Sequence, residues 1–363
     1  MHPTDPIQAP SHPDPYPYYR KLARERPLYY DDRLELWVAS APASIRAVLG
    51  HPAARVRPAA QPVPPALRDG PAGLLFGRYA RMRDDAGHAS LKPLLADCLR
   101  ALAAPPPCWP AAPRTLPALD DFLFDAPVYA MAGRLGLAPH AMPACAHDVR
   151  QFRAALGPAA SAGQRAAGHA AAARLQSGMT AHLDAQADST PLALLRGHAA
   201  RAGIAPAEIA ANLIGLLFQS CEAGAGLIGN TLVALGRDPG LAAAARRDAA
   251  LCQCAAARTA QRDPPVHNTR RYLDAPILLD GHTLPAGATV LLVLAAAGAA
   301  EPGDAPWTFG AGRHACPGGS TALQSAGQAV AHLLDGGLDP ATLLHGLGYL
   351  PLPNARVPRF SLA

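Results

Sequence analysis

Apolar positions recur with helical spacing from Tyr18 to Arg26, and Pro27 ends the run. The pattern then changes to short apolar clusters. Leu28-Tyr-Tyr and Leu34 to Val38 flank the turn Asp31-Asp-Arg33 and predict a β-hairpin. Ala43 to Leu49 returns to helical spacing, after which the proline-rich run from Pro58 to Pro71 cannot hold regular structure for long. From Arg81 to Leu235 the helical period dominates, broken at Ala104 to Pro110 and at Asp188 to Pro191. Further on, Ile277-Leu-Leu, Gly281 to Leu284 and Thr289 to Leu294, with Pro285-Ala-Gly287 between them, predict a strand, turn, strand pair. The apolar-rich run Ala322 to Leu334 predicts a closing helix. No internal repeat is visible. The order is a small N-terminal sheet, a long helical body, a late β-pair and a last helix, which on pattern alone reads as a mainly α, single large domain spanning 1–363.

Composition narrows the class. The chain has 363 residues, of which 50% are hydrophobic and 16% charged, so it is globular and long enough to enclose a cofactor. The net charge of +5 is modest, and Lys and Arg are scattered; nucleic-acid binding is not expected, although a local basic patch for an acidic protein partner is compatible with it. Residues 1–17 are dense in proline and predict an extended start. The first forty residues lack a basic-then-apolar signal pattern and an uninterrupted apolar span, so neither secretion nor a membrane anchor is expected. Cysteines at 98, 108, 145, 221, 252, 254 and 316 show no disulfide-framework spacing and fit a reducing cytoplasm. Cys252-Gln-Cys254 lies on a predicted helix, where its side chains diverge, and no matching second pair completes a zinc site.

The densest chemistry lies in Trp307-Thr-Phe-Gly-Ala-Gly-Arg-His-Ala-Cys-Pro-Gly318. Glycines at 310, 312 and 318 permit tight turning and leave room for a flat group to approach. Backbone amides around the Cys316 sulfur, with a helix start just beyond Gly318, favour a thiolate able to ligate a metal. Phe309, Gly310, Gly312, His314, Cys316 and Gly318 fall in the order and spacing of the haem-binding signature of the cytochrome P450 superfamily, and the chain resembles a divergent, shortened, bacterial-type soluble member. The resemblance implies a long helical body with small β-sheets. It also implies haem b between a distal helix and the helix after the cysteine loop, with Cys316 as the axial thiolate.

The same resemblance assigns further residues. His88 and Lys92, spaced i, i+4 on one helix face, resemble the family's His-x-x-x-Arg pair for a haem propionate, with Lys losing the bidentate fork of Arg. Arg271, after Pro264-Pro-Val266, resembles the propionate arginine on the strand that follows the helix before it, and His314 completes the cation set. Asn212 to Leu235 is a long apolar run interrupted by Gln219-Ser-Cys-Glu-Ala-Gly-Ala-Gly226, and it resembles the distal helix, which in the family loosens over the iron and carries an acid followed by a threonine that relay protons. Glu222 stands at the acid position and Ala223 at the threonine position. A hydroxyl for this relay would have to come from substrate or water.

The family's Glu-x-x-Arg pair is absent: Arg258 and Gln261 occupy its positions, and Arg262 lies on a different helix face. Only Gly298 to Thr308 stands where the family has a helix and a long meander. The resemblance implies a monooxygenase acting on a small organic molecule of specialised metabolism, with electrons from separate ferredoxin and ferredoxin reductase-type proteins. Ala223 equally admits a haem-thiolate enzyme that uses peroxide or rearranges an activated substrate. Arg258, Gln261 and the shortened loop admit a degenerate, haem-binding or haem-free homologue without catalysis.

Overall fold

The computed structural model describes residues 3–104, 108–157, 159–301, 303 and 306–361. Residues 105–107 of the predicted proline-rich break, and 302, 304 and 305 of the segment before the cysteine loop, lie outside the described residues. In chain order the elements are α1 (Tyr16–Glu25), β1 (Leu28–Asp31), β2 (Leu36–Ala39), α2 (Pro42–Gly50), β3 (Ala54–Arg55), α3 (Pro71–Gly77) and α4 (Ala86–Ala101). There follow α5 (Leu116–Arg134), α6 (Met142–Ala155), α7 (Ala162–Asp184), α8 (Pro191–Arg201), α9 (Pro206–Gly236), α10 (Pro239–Arg247) and α11 (Ala249–Arg262). The chain closes with β4 (Thr269–Leu273), β5 (Ile277–Leu279), β6 (His282–Leu284), β7 (Thr289–Leu292), α12 (Leu294–Ala300), α13 (Gly319–Asp335), β8 (Gly348–Tyr349) and β9 (Pro358–Arg359).

Local chemistry starts the helices. The side chain of Asp85 accepts from the His88 amide and fixes the start of α4, and Ser161 with Gln164 forms a reciprocal capping box on α7. Thr190, Asp238 and Asp248 cap α8, α10 and α11 in the same way. Each such cap contributes about 1 kcal/mol. The predicted break at Asp188 to Pro191 is therefore the cap and first position of α8.

Contacts divide the chain into two compact units, the division falling within α5 and α9. The first comprises 1–55, 109–126 and 222–363. Its main sheet has the order β1-β2-β7-β4-β3, so the N-terminal hairpin and the late strands build one sheet, not the separate pieces that the sequence pattern implied. β7 pairs parallel to β2 and antiparallel to β4, whereas β5 and β6 form a separate two-stranded sheet. The reason is visible in the residues. Asp280 and Gly281 both have positive φ, which suits a tight hairpin turn between β5 and β6. Val290-Leu-Leu292 is apolar on both faces and buried throughout, the pattern of a central strand. The helical core of this unit is apolar side chains of α5, α9, α10, α11 and α13, among them Phe122, Leu123, Ile228, Ala256 and Leu333.

The second unit comprises 56–108 and 127–221. There α6 packs on α7 at close range, because Gly168 presents no side chain to Ala155, and Arg174 of α7 pairs with Asp148 of α6 at 2.6 Å. Tyr79, Phe152 and Phe218 form an aromatic cluster with centroids 5.2 to 6.4 Å apart. Along α9, residues 209–215 and 225–233 are buried; by length and composition the helix could cross a membrane, but that window is mostly covered by protein.

Candidate functional site

The cysteine loop is folded by its own backbone. Gly310 and Gly312 have φ of 66° and 67°, the left-handed region that glycine adopts without strain. The Cys316 amide donates to the Phe309 carbonyl at 2.8 Å, and the Gly310 amide donates to Trp307 at 2.8 Å, so the loop closes on itself. Gly318 caps α13 directly after it. A Cβ on Gly312 would approach the Leu49 carbonyl to 3.2 Å, and Arg313 next to it donates to the carbonyls of His51 at 3.2 Å and of Ala54. Arg313 thus pins the loop to the turn between α2 and β3. Sequence reasoning did not assign it; its place between Gly312 and His314 was the available signal.

Cys316 is exposed, and the residues beside it are only half-covered: Phe309, His314 and, on the first turns of α13, Ala322, Leu323 and Gln324. From Ala326 onward α13 becomes buried. A thiol in a closed glycine loop, flanked by incompletely covered apolar residues at a helix start, fits the donor set and surroundings that a haem needs. The Val266 amide donates to Thr308 Oγ1 at 3.1 Å and ties the loop to the segment entering β4. Arg271 lies on β4, is 6% exposed, and donates through Nη1 to the Arg270 carbonyl at 2.8 Å and to Thr269 Oγ1 at 3.4 Å.

Glu222 and Ala223 lie in the same unit on α9, in a stretch, 218–224, that is half-buried except for Cys221, between fully buried turns. The helix is unbroken there. Gly226 serves close packing: a Cβ would lie 2.5 Å from the Arg356 carbonyl and 2.8 Å from Pro265 Cβ. At least this glycine of the cluster is explained by helix contact, without any loosening. His88 and Lys92 belong to the other unit, on α4, where His88 is buried and its Nδ1–H donates to the Ala80 carbonyl at 2.8 Å while Lys92 is half-buried. Of the cysteine pair on α11, Cys252 is buried and Cys254 exposed.

Where α11 ends, an ion pair between a buried arginine and a half-buried carboxylate occurs that the sequence did not announce. Arg356, 1% exposed, donates from Nε to Asp263 at 2.7 Å, and Tyr16 donates its hydroxyl to the same carboxylate at 2.5 Å. The participants are 93 and 247 positions apart, beyond any spacing rule.

Sheet, helical body and cysteine loop together define the cytochrome P450 fold, and the chain has that fold. The chain is similar to CalO2, with 22% identity over 99% of this chain and 97% of that one at a TM-score of 0.73. It is also similar to P450BioI, solved in complex with hexadec-9Z-enoic acid ligated acyl carrier protein, at 18% identity, 95% and 96% coverage and TM-score 0.71. A third likeness is to P450 RauA, complexed with a biosynthetic intermediate of aurachin RE, at 18% identity, 98% and 96% coverage and TM-score 0.71. No family model matches the sequence, and no curated protein matches it.

Proposed function

We propose that this protein is a haem-thiolate oxidoreductase that oxidises a small organic molecule, with Cys316 as the iron ligand. The observation that carries the reading is the cysteine loop, closed by the Cys316 to Phe309 hydrogen bond and two left-handed glycines, in a chain with the P450 fold. When bound, haem b would supply the activation of dioxygen or peroxide that no side chain provides. The chain's own residues do the remaining work. Arg271, His314, His88 and Lys92 are the cations assigned to the propionates, and Phe309, Gly310, Gly312 and Gly318 shape the loop around the ligand. The Glu222 carboxylate is assigned to hold and move a proton, while Ala223 leaves the next step of that relay to water or a substrate hydroxyl. Electrons come from separate ferredoxin-type donors in this reading. That similar structures hold a carrier-linked fatty acid and a biosynthetic intermediate supports a small organic substrate, as in specialised metabolism.

Ala223 favours a second reading, in which peroxide or an already activated substrate replaces dioxygen and the relay is not needed. The test begins with the carbon monoxide difference spectrum of reduced protein supplied with haem. Wild type is expected to show the thiolate-type band and Cys316→Ala to lose it. Absence of that band in wild type would overturn the haem-thiolate proposal and favour a haem-free homologue. Turnover with a ferredoxin pair against turnover with peroxide then separates the two enzymatic readings.

A further inference from the structure

We propose that Arg356 is a positioning residue that holds the cysteine loop in register from the far end of the chain. Its guanidinium is buried and saturated on several sides. Nε donates to Asp263 at 2.7 Å, Nη1 to the Pro10 and His12 carbonyls at 2.9 and 2.6 Å, and Nη2 to the Pro13 carbonyl at 3.0 Å. The guanidinium carbon lies 3.5 Å from the centroid of the Tyr349 ring. A charge this deeply buried is tolerable only where its partners are fixed, and these partners come from separate places in the sequence: the N-terminal strap, the end of α11 and the C-terminal segment.

The backbone of the same residue continues the connection. The Arg356 amide donates to the Pro265 carbonyl at 2.8 Å, and Ala355 bridges Val266. The His267 amide donates to Asn354 at 2.9 Å, and Asn268 Nδ2 donates to the Pro353 carbonyl at 2.7 Å. Asn230 on α9 donates to the carbonyls of both Asp263 and Arg356, at 3.0 and 3.2 Å. Segment 263–268 is therefore clamped along its length. From it the Val266 amide reaches Thr308 Oγ1, and the neighbouring Phe309 carbonyl receives the Cys316 amide. A short line of hydrogen bonds thus runs from Arg356 to the residue assigned as iron ligand. Loss of the guanidinium would leave Asp263 and the strap carbonyls without their shared donor, and the first consequence outside the network would be freedom of 263–268 and then of the loop.

The inference rests on the haem-thiolate reading only for its functional meaning, because amide exchange reads the loop whether or not haem is ligated. The experiment compares full-length wild type, Arg356→Lys, Arg356→Met and the double variant Asp263→Asn/Arg356→Met by hydrogen–deuterium exchange and by the carbon monoxide band. The double variant also neutralises the carboxylate left without its guanidinium and so guards against simple unfolding. In it, exchange in peptides covering 263–268 and 307–318 is expected to rise about tenfold or more, while α6 and α7 keep wild-type protection. Haem-loaded protein is expected to shift from the thiolate-type band toward the form that has lost it, with Arg356→Lys intermediate. Wild-type exchange in 307–318 in a folded variant would overturn the proposal, and so would an equal rise in every helix. If wild type itself lacks the thiolate band, the haem reading fails, while the exchange data still decide whether Arg356 orders the loop.

Discussion

A Cβ on Gly327 would lie 2.6 Å from the Cα of Gln253 and 2.9 Å from its amide nitrogen, so α13 and α11 meet backbone to backbone one helix turn below the half-covered start of α13. Propensity alone favours alanine over glycine in a helix by about 1 kcal/mol. Here the overlap is with main chain, which no side-chain rotation relieves, and overpacking of this kind costs about 1–3 kcal/mol. Gly327→Ala is expected to lower the urea midpoint. Gly178 on α7 has nothing within 4 Å of the added carbon, and Gly178→Ala is expected to raise it. Equal shifts of the same sign in both variants would show that the helix crossing does not set the effect.

Arg271 offers a direct probe of the propionate assignment. Its burial on β4, within the segment tied to the cysteine loop through Val266 and Thr308, places a fixed cation on the same framework as Cys316. Arg271→Ala is expected to speed haem loss about tenfold to a hundredfold, as a lost charge-assisted pair of about 1.5–3 kcal/mol implies. Arg271→Lys should fall between the two. Transfer of haem to apomyoglobin measures the rate, and unchanged retention in the alanine variant would remove Arg271 from the cofactor site.

What could be read from the sequence divides along physical lines. The cysteine loop was legible because its constraints are local: Gly310 and Gly312 need positive φ within a few residues of the sulfur, and such requirements leave a pattern. The helical stretches were legible through their period, but the breaks at 135–141, 156–161 and 202–205 inside the predicted 81–235 run were not. The joining of β7 to β2 was not, because parallel pairing brings together residues such as Trp37 and Val290 with no local signal. Arg356 was invisible in the same sense. Its partners are Pro10, His12, Pro13 and Asp263, and nothing in the run Asn354-Ala-Arg-Val357 distinguishes a buried arginine from a solvated one. Gly226 was legible as an interruption of an apolar helix, but its close approach to Arg356 and Pro265 was not.

The fully buried His267 makes stability pH-dependent. Its ring shares a hydrogen bond of 2.7 Å with the Tyr19 hydroxyl, and burial, with the Arg356 charge nearby, holds its pKa well below the ordinary imidazole value. The folded protein therefore keeps His267 neutral while the unfolded chain takes up a proton below about pH 6.5. Because the unfolded state binds more protons there, stability falls as pH falls, by about 1.4 kcal/mol per pH unit for this group until its folded pKa is reached. Denaturation midpoints measured between about pH 7.5 and 5.5 should show the slope, and His267→Gln should flatten it while lowering stability at neutral pH. A wild-type slope retained in His267→Gln would assign the dependence to other groups.

Glu222 and Ala223 set the last expectation, because a carboxylate followed by a methyl group can pass a proton onward only through a bridging water or a substrate hydroxyl. Both sit in the half-buried stretch of α9. Ala223→Thr restores the hydroxyl and is expected to raise product formed per electron for a substrate without a suitably placed hydroxyl, and to help little or hinder for one that supplies its own. Glu222→Gln keeps shape and removes the titrating proton. It should slow dioxygen-dependent turnover by about a hundredfold or more, within the range general acid–base groups contribute, and affect a peroxide-driven reaction much less, since peroxide carries part of the protons that dioxygen must acquire. The measurement is coupling and rate with a ferredoxin pair beside the peroxide-driven rate in wild type and both variants. Equal dioxygen-dependent rates and coupling in all of them would sink the relay and leave the peroxide or rearrangement reading as the better account of Ala223.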